Sequence, residues 1–209
     1  MMKGLVLCGG QSSRMGHDKG LKTLAGHSWA QHASRLLHTV TCSVLYAVNA
    51  SQMAEYSLQQ KAGLTAEAGN LLMDNDVLPV YGPLKGILSA HLAFPDADWL
   101  VMACDMILMQ TEALQYLCTQ AALYTAATAV VYGNQQQAQP LCGIYTSKGL
   151  GILLQQVQNG GLKKSSMHQA LAMLHTEYIA IPEHLHSCFI NCNTPEDVVA
   201  IAAMVSVQS

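Results

Sequence analysis

Along this chain, short uninterrupted apolar runs alternate with longer stretches whose apolar positions recur every three or four residues. The first pattern predicts buried strands and the second predicts amphipathic helices. The run 4–8 predicts a first strand, stopped by Gly9–Gly10. A short apolar stretch, 21–25, ends at Gly26. Residues 27–38 carry Trp29, Ala33, Leu36 and Leu37 at helical spacing, with Ser28 placed as N-cap. A β-rich run, 42–48, ends at Asn49, and 52–61 reads as a helix stopped near Gly63. A short strand over 70–73 precedes Asp74, Asn75 and Asp76. Residues 83–94 read as a helix with Pro83 in its first turn, where the missing N–H is not needed. Residues 99–104 are wholly apolar, as in a buried central strand, and stop at Asp105.

The second half is less regular. Helices are expected over 112–124, 148–158 and 165–174, with the Asn159–Gly161 triplet as a break. Strands are expected over 127–132, 141–145, 177–181 and 188–190. Residues 194–205 read as an amphipathic helix opened by Thr194, Pro195, Glu196 and Asp197, with acids in the dipole-favoured first turn. Strands alternating with helices imply an α/β fold. The expected architecture is a single three-layer, Rossmann-like domain over 1–209, with a mainly parallel, mixed-edge sheet.

In such sheets ligands lie beyond the carboxyl ends of the strands. Gly9–Gly10, Asn49, Asp74 with Asp76, and Asp105 all follow predicted strands, so separate segments converge on one rim. Glycines let the backbone approach a phosphate and turn its N–H groups inward. Arg14 adds a planar cationic fork and Lys19 a point charge. The plainer reading is a strand-to-helix loop with two surface cations. His17 and Asp18 after Gly16 exclude G-x-x-x-x-G-K-[ST], and G-x-G-x-x-G is absent as well. A carboxylate at the end of an apolar strand is costly without a partner. Mg²⁺ bound to phosphate oxygens would serve Asp105, unless that residue simply caps the next segment.

Composition narrows the function. With 51% hydrophobic and 11% charged residues in 209, the chain can bury a substantial core and is not disordered. A net charge of −3 argues against general affinity for nucleic acid or anionic membrane. No run approaches the ~18 apolar residues a bilayer span needs, and the N-terminal apolar run reads as strand one rather than a signal peptide. Seven cysteines without a C-x-x-C pair fit free thiols in a reducing cytoplasm. Nine histidines lack metal-binding spacing, and His184 and His186 fall in an expected loop after Pro182.

Residues 7–19, LCGGQSSRMGHDK, resemble the signature L-A-G-G-x-S-x-R-M-G-x-D-K of the molybdenum cofactor guanylyltransferases, the MobA type within the nucleotide-diphospho-sugar transferase superfamily. Every specified position matches except Cys8, where Ala is usual and where a small packing thiol is expected. Residues 76–87, DVLPVYGPLKGI, resemble D-x-x-P-x-x-G-P-L-A-G-I, with Lys85 in place of Ala. This spacing favours Asp76 over Asp74 as the nucleoside contact. P-C-D-M-P appears as Ala103-Cys104-Asp105-Met106-Ile107, without its prolines. N-x-N-T-P-E-D stands complete from Asn191 to Asp197, and Asn49 matches the family's Asn after the second strand. Gly161, Lys164 and Ser165 loosely match a loop near the pterin side.

The resemblance implies a nucleotide-diphospho-sugar transferase-like fold and transfer of GMP from GTP to molybdenum-molybdopterin, with release of pyrophosphate. It implies Mg²⁺ on Asp105, and Arg14, Lys19 and Asp105 as the catalytic set. Phosphates would lie on Leu7, Cys8, Gly9, Gly10, Arg14 and Lys19. The nucleoside would lie on Asn49 and Asp76, with Asp74 beside them. Gly82, Asn191 and Asn193 would face the pterin. GTP and molybdopterin would be the small-molecule partners, with other cofactor-biosynthesis proteins and molybdoenzyme chaperones beyond them, in the cytoplasm and without nucleic acid or membrane. A cytidylyl- or sugar-phosphate nucleotidyltransferase, or a non-catalytic nucleotide- or cofactor-binding relative, stands as the alternative.

Overall fold

β1 (Met2–Leu7) is apolar on both faces, and that places it inside a sheet rather than at an edge. Leu5 and Leu7 join one apolar layer; Val6, with Cys8 just beyond the strand, joins the opposite one. The structure is a computed structural model, and it describes residues 1–8, 18–24, 26–61, 71–162 and 165–190.

β1 pairs in parallel with β4 (Val44–Val48) on one side and β6 (Asp98–Ala103) on the other. β5 (Leu71–Met73) adds to β4, also in parallel. β8 (Gln139–Tyr145) runs antiparallel to both β6 and β7 (Ala129–Tyr132), and β9 (Thr176–Ile179) closes the sheet parallel to β7. The seven strands follow the order β5-β4-β1-β6-β8-β7-β9. The antiparallel strand therefore lies inside the sheet, because the short connection 133–138 folds β8 straight back on β7. A small separate hairpin joins β2 (Thr23–Leu24) to β3 (His27–Ser28).

Helices cover both faces. α1 (Trp29–His38), α2 (Ala50–Lys61) and α4 (Thr111–Ala121) pack with Val6, Tyr46, Met102 and Tyr132. α3 (Pro83–Ala93), α5 (Ser147–Gln158) and α6 (Met167–Ala172) pack with Leu5, Leu7, Trp99 and Tyr145. This is the expected three-layer α/β arrangement. Ser28 caps α1 as expected, in a reciprocal box in which its Oγ accepts from the Gln31 N–H and Gln31 Oε1 accepts from the Ser28 N–H. Gly82, at φ 66°, makes the left-handed entry to α3 that lets Pro83 start the helix.

One expected strand is absent. Residues Glu183–Phe189 form a 3-10 helix in place of a strand at 188–190. Its buried residues, Leu185 and Cys188, are three apart, which matches three residues per turn. His184 and His186 sit in that helix rather than in a loop. The expected helix over 194–205 and the stop at Gly63 lie outside the described residues.

Candidate active site

Four parallel strands end level with one another. Leu7 is in register with Ala47 and with Ala103, and Val48 is in register with Met73. The ladder runs on by one residue at each exit. Cys8 N donates to Ala47 O at 3.1 Å, Cys104 N to Leu7 O at 3.2 Å, and Asp74 N to Val48 O at 2.8 Å. Cys8, Asn49, Asp74 and Cys104–Asp105 thus line one rim, where the sequence pattern places them.

Two of the predicted residues meet directly. Lys19 Nζ lies 3.2 Å from Asp105 Oδ2, with the side chains 21% and 23% exposed. The pair is partly shielded from water, so it is stronger than a fully solvated ion pair. Ala103 and Ile107, which stand where the signature has prolines, are both buried, and the turn between them still delivers Asp105 to the rim. Lys19 opens a 3-10 turn, Lys19–Leu21, capped by the preceding Asp18.

Asp18, which the signature includes without a role, meets two contributors that were not singled out in the sequence, Gln52 and Tyr56. Asp18 Oδ1 accepts from Gly20 N at 2.9 Å and from the Tyr56 hydroxyl at 3.3 Å. Its Oδ2 accepts from Gln52 Nε2, which also donates to Cys8 O at 3.0 Å. The Asn-x-x-Gln spacing at Asn49–Gln52 is a capping-box signal that could have marked Gln52. Nothing local marks Tyr56.

The residues expected on the nucleoside side differ in what they contact. Asn49 Oδ1 caps α2, accepting from the Gln52 N–H at 3.1 Å and from the Ser51 hydroxyl at 2.6 Å. Asp74 is half-buried, and its pKa is pushed up to about 6, first by burial and then by Asp76, against the opposing charge of Lys85. Asp76 is 77% exposed and paired with Lys85 Nζ at 2.9 Å. Lys85, the residue in place of Ala, therefore engages the carboxylate favoured by the motif spacing. Among the residues expected to face the pterin, Gly82 lies beside Ser165, because Tyr81 N donates to Ser165 Oγ at 3.0 Å.

The thiols at the rim are packing groups. Cys8 and Cys104 are buried, and loss of solvent is the main cause that pushes both pKa values up, so both stay neutral and weakly reactive. Among the described residues, no three His, Cys, Asp or Glu side chains gather as a metal cluster, and no helix is long and apolar enough to cross a membrane. Gly9, Gly10, Arg14, Lys164, Asn191 and Asn193 lie outside the described residues.

Comparison with known proteins matches residues 4–176 to the MobA-like NTP transferase domain. The chain is 30% identical over 199 residues to the probable molybdenum cofactor guanylyltransferase of Trichormus variabilis, covering 94% of this chain and 88% of that protein. It is 30% identical over 203 residues to the molybdenum cofactor guanylyltransferase of Vibrio cholerae, covering 96% and 91%. A Synechocystis molybdenum cofactor biosynthesis bifunctional protein is 31% identical over 194 residues, and this chain spans only 52% of its length. The fold is similar to that of molybdopterin-guanine dinucleotide biosynthesis protein A from Archaeoglobus fulgidus, with a TM-score of 0.76 at 21% identity, over 98% of this chain and 99% of that one.

Proposed function

The chain belongs to the MobA-like NTP transferase domain family, and from that membership we propose that it is a molybdenum cofactor guanylyltransferase. It transfers GMP from GTP to molybdenum-molybdopterin and releases pyrophosphate. We take the whole chain, 1–209, as one such unit. The observation that carries the reading is the Lys19–Asp105 pair on a rim where four parallel strands end together.

The acceptor is a phosphate monoester, already an anion, so it attacks the α-phosphorus without a general base. Catalysis then rests on positioning and on neutralising charge. In this reading Lys19, paired with Asp105, uses its ammonium group to stabilise the pyrophosphate that leaves. Arg14 and the backbone of Gly9 and Gly10 complete the phosphate contacts in this reading. Asn49, with its oxygen committed to the α2 cap, offers its Nδ2 donors to the nucleoside. Asp74 and Asp76 supply carboxylates on the same side. Gly82 and Ser165, joined through Tyr81, mark the acceptor side, together with Asn191 and Asn193.

A magnesium ion suits this donor set. Asp105 is a hard-oxygen ligand at the rim, and Mg²⁺ commonly takes one or two carboxylates and completes its shell with phosphates and water. When bound there it would neutralise phosphate charge, and Lys19 would share Asp105 with it. GTP as substrate and unbridged described thiols fit a cytoplasmic location, with other cofactor-biosynthesis proteins and molybdoenzyme chaperones as partners downstream.

A second reading has one observation behind it. Lys85 engages Asp76, a carboxylate that would otherwise be available to the N–H edge of guanine. A CTP-using relative would tolerate that loss better. Pyrophosphate release measured with GTP, CTP and ATP in turn, with molybdopterin as acceptor, separates the two. Preference for GTP is expected, and preference for CTP would overturn the guanylyl assignment.

A further inference from the structure

We propose that Gln52 is a positioning residue of this site: its side-chain amide ties Cys8, at the exit of β1, to Asp18 and so sets where Lys19 presents its ammonium group. The proposal rests on the reading above in taking Lys19 as a phosphate contact.

Gln52 is the third residue of α2, and its amide has two separate tasks. Oε1 accepts from the Asn49 N–H at 2.9 Å and completes the box in which Asn49 Oδ1 accepts from the Gln52 N–H. A helix cap needs no more than that. Nε2 goes further: it donates to the carbonyl of Cys8, just past β1, and to the carboxylate of Asp18, next to Lys19. Both amide N–H donors are therefore used, one of them on a charged acceptor, where a hydrogen bond is stronger.

The clasp is shielded from water. Gln52 is 8% exposed, and Tyr56, one turn along α2, is fully buried with its hydroxyl on Asp18 Oδ1. Asp18 also caps the turn that begins at Lys19. Lys19 therefore starts from a backbone held on both sides, and its side chain reaches Asp105. The line Asn49–Gln52–Asp18–Lys19–Asp105, with Cys8 O also on Gln52, links the exits of β4, β1 and β6. The nucleoside side and the phosphate side of the site thus share one buried amide.

A merely structural role and the proposed one separate on a single substitution. Gln52→Glu keeps an acceptor for the Asn49 N–H, and Glu is itself a capping-box residue, but it removes both Nε2 donors and faces the Asp18 carboxylate with like charge. GTP and inorganic tripolyphosphate are titrated calorimetrically, with Mg²⁺, into wild type, Gln52→Glu and Tyr56→Phe at pH 8 and pH 6, with circular dichroism as the check on folding. Wild type at both pH values corrects for the other titrating groups, Asp74 first. The proposal expects Gln52→Glu to bind both probes at least about tenfold more weakly at pH 8, the loss of one good charged hydrogen bond. It expects partial recovery at pH 6, where the new carboxyl regains a proton and hence a donor, and a smaller loss in Tyr56→Phe. Wild-type affinity in folded Gln52→Glu at pH 8 overturns it. So does weakened binding without recovery at pH 6, which marks a general loss of packing. Wild type that binds tripolyphosphate but not GTP overturns the nucleotide reading and leaves the clasp tested on the tripolyphosphate arm. Binding of neither probe by wild type overturns both.

Discussion

Lys19 Nζ and Asp105 Oδ2 lie 3.2 Å apart although 86 residues separate them in the chain. The contact joins the return after β1 to the exit of β6, two neighbouring parallel strands. The pair sets a cation against the carboxylate that, in the proposed reading, would carry a metal.

Removing that carboxylate separates function from fold. Asp105→Ala is expected to lower pyrophosphate release by at least about a hundredfold, the scale on which a charge-stabilising group acts. Stability changes by no more than about 1 kcal/mol, because a partly exposed pair contributes little. Steady-state turnover with GTP and a urea melt of the same variant check both halves. Unchanged turnover would refute the metal assignment.

Gly20 is placed against the Tyr56 hydroxyl so closely that an added Cβ would collide with it. Gly20→Ala therefore displaces Tyr56 or the turn, and is expected to cost roughly 1–3 kcal/mol, as overpacking does. Tyr56→Phe removes the oxygen at fault, so the double variant Gly20→Ala, Tyr56→Phe regains part of that loss. Additive losses in chemical denaturation would contradict the close approach.

Asp74 makes stability fall as pH rises. Its folded pKa of about 6 lies above the ordinary carboxylate value, so between roughly pH 4 and pH 6 the folded state holds a proton that the unfolded state has released. The penalty is complete at neutral pH and absent in acid. Asp74→Asn removes it. A shift of this size corresponds to about 3 kcal/mol, but half-burial and solvent screening reduce the expected gain at pH 7 to the order of 1 kcal/mol. Denaturation at pH 7 and pH 4 measures the two ends, and equal gains at both would contradict the cause given. Lys85→Ala should raise the Asp74 midpoint further, since Lys85 is the group that opposes the shift. Carboxyl titration by NMR reads this directly.

His91 acts with the opposite sign. It is buried on α3, with Gly151 of α5 facing its ring and no partner for Nδ1 among the described residues, and burial lowers its pKa. The folded state keeps this ring neutral, so stability is lost as pH falls below the ordinary histidine value of about 6.5. His91→Phe is expected to shrink the loss of melting temperature between pH 7 and pH 5. A loss as steep as in wild type would show that His91 does not drive it.

The sequence by itself determined the elements and the rim. The apolar runs at β1 and β6, the helical spacing of α1 with its Ser28 cap, and Pro83 at the start of α3 are signals carried by neighbours in the chain. The polar residues that end each strand are local in the same sense, so Asn49, Asp74 and Asp105 could be read as one edge once a parallel sheet was inferred. The run at 188–190 misled because a short apolar stretch suits a strand and a tight helix equally, and only the packing of Leu185 and Cys188 chose between them. Tertiary structure alone decided that β8 sits inside the sheet, that Lys85 takes Asp76, that Ser165 meets Tyr81, and that Gln52 holds Cys8 and Asp18 together. The physical reason is that periodicity states which face of an element is buried but not which element covers it. Strand order makes that choice, and with it which distant donor reaches which acceptor.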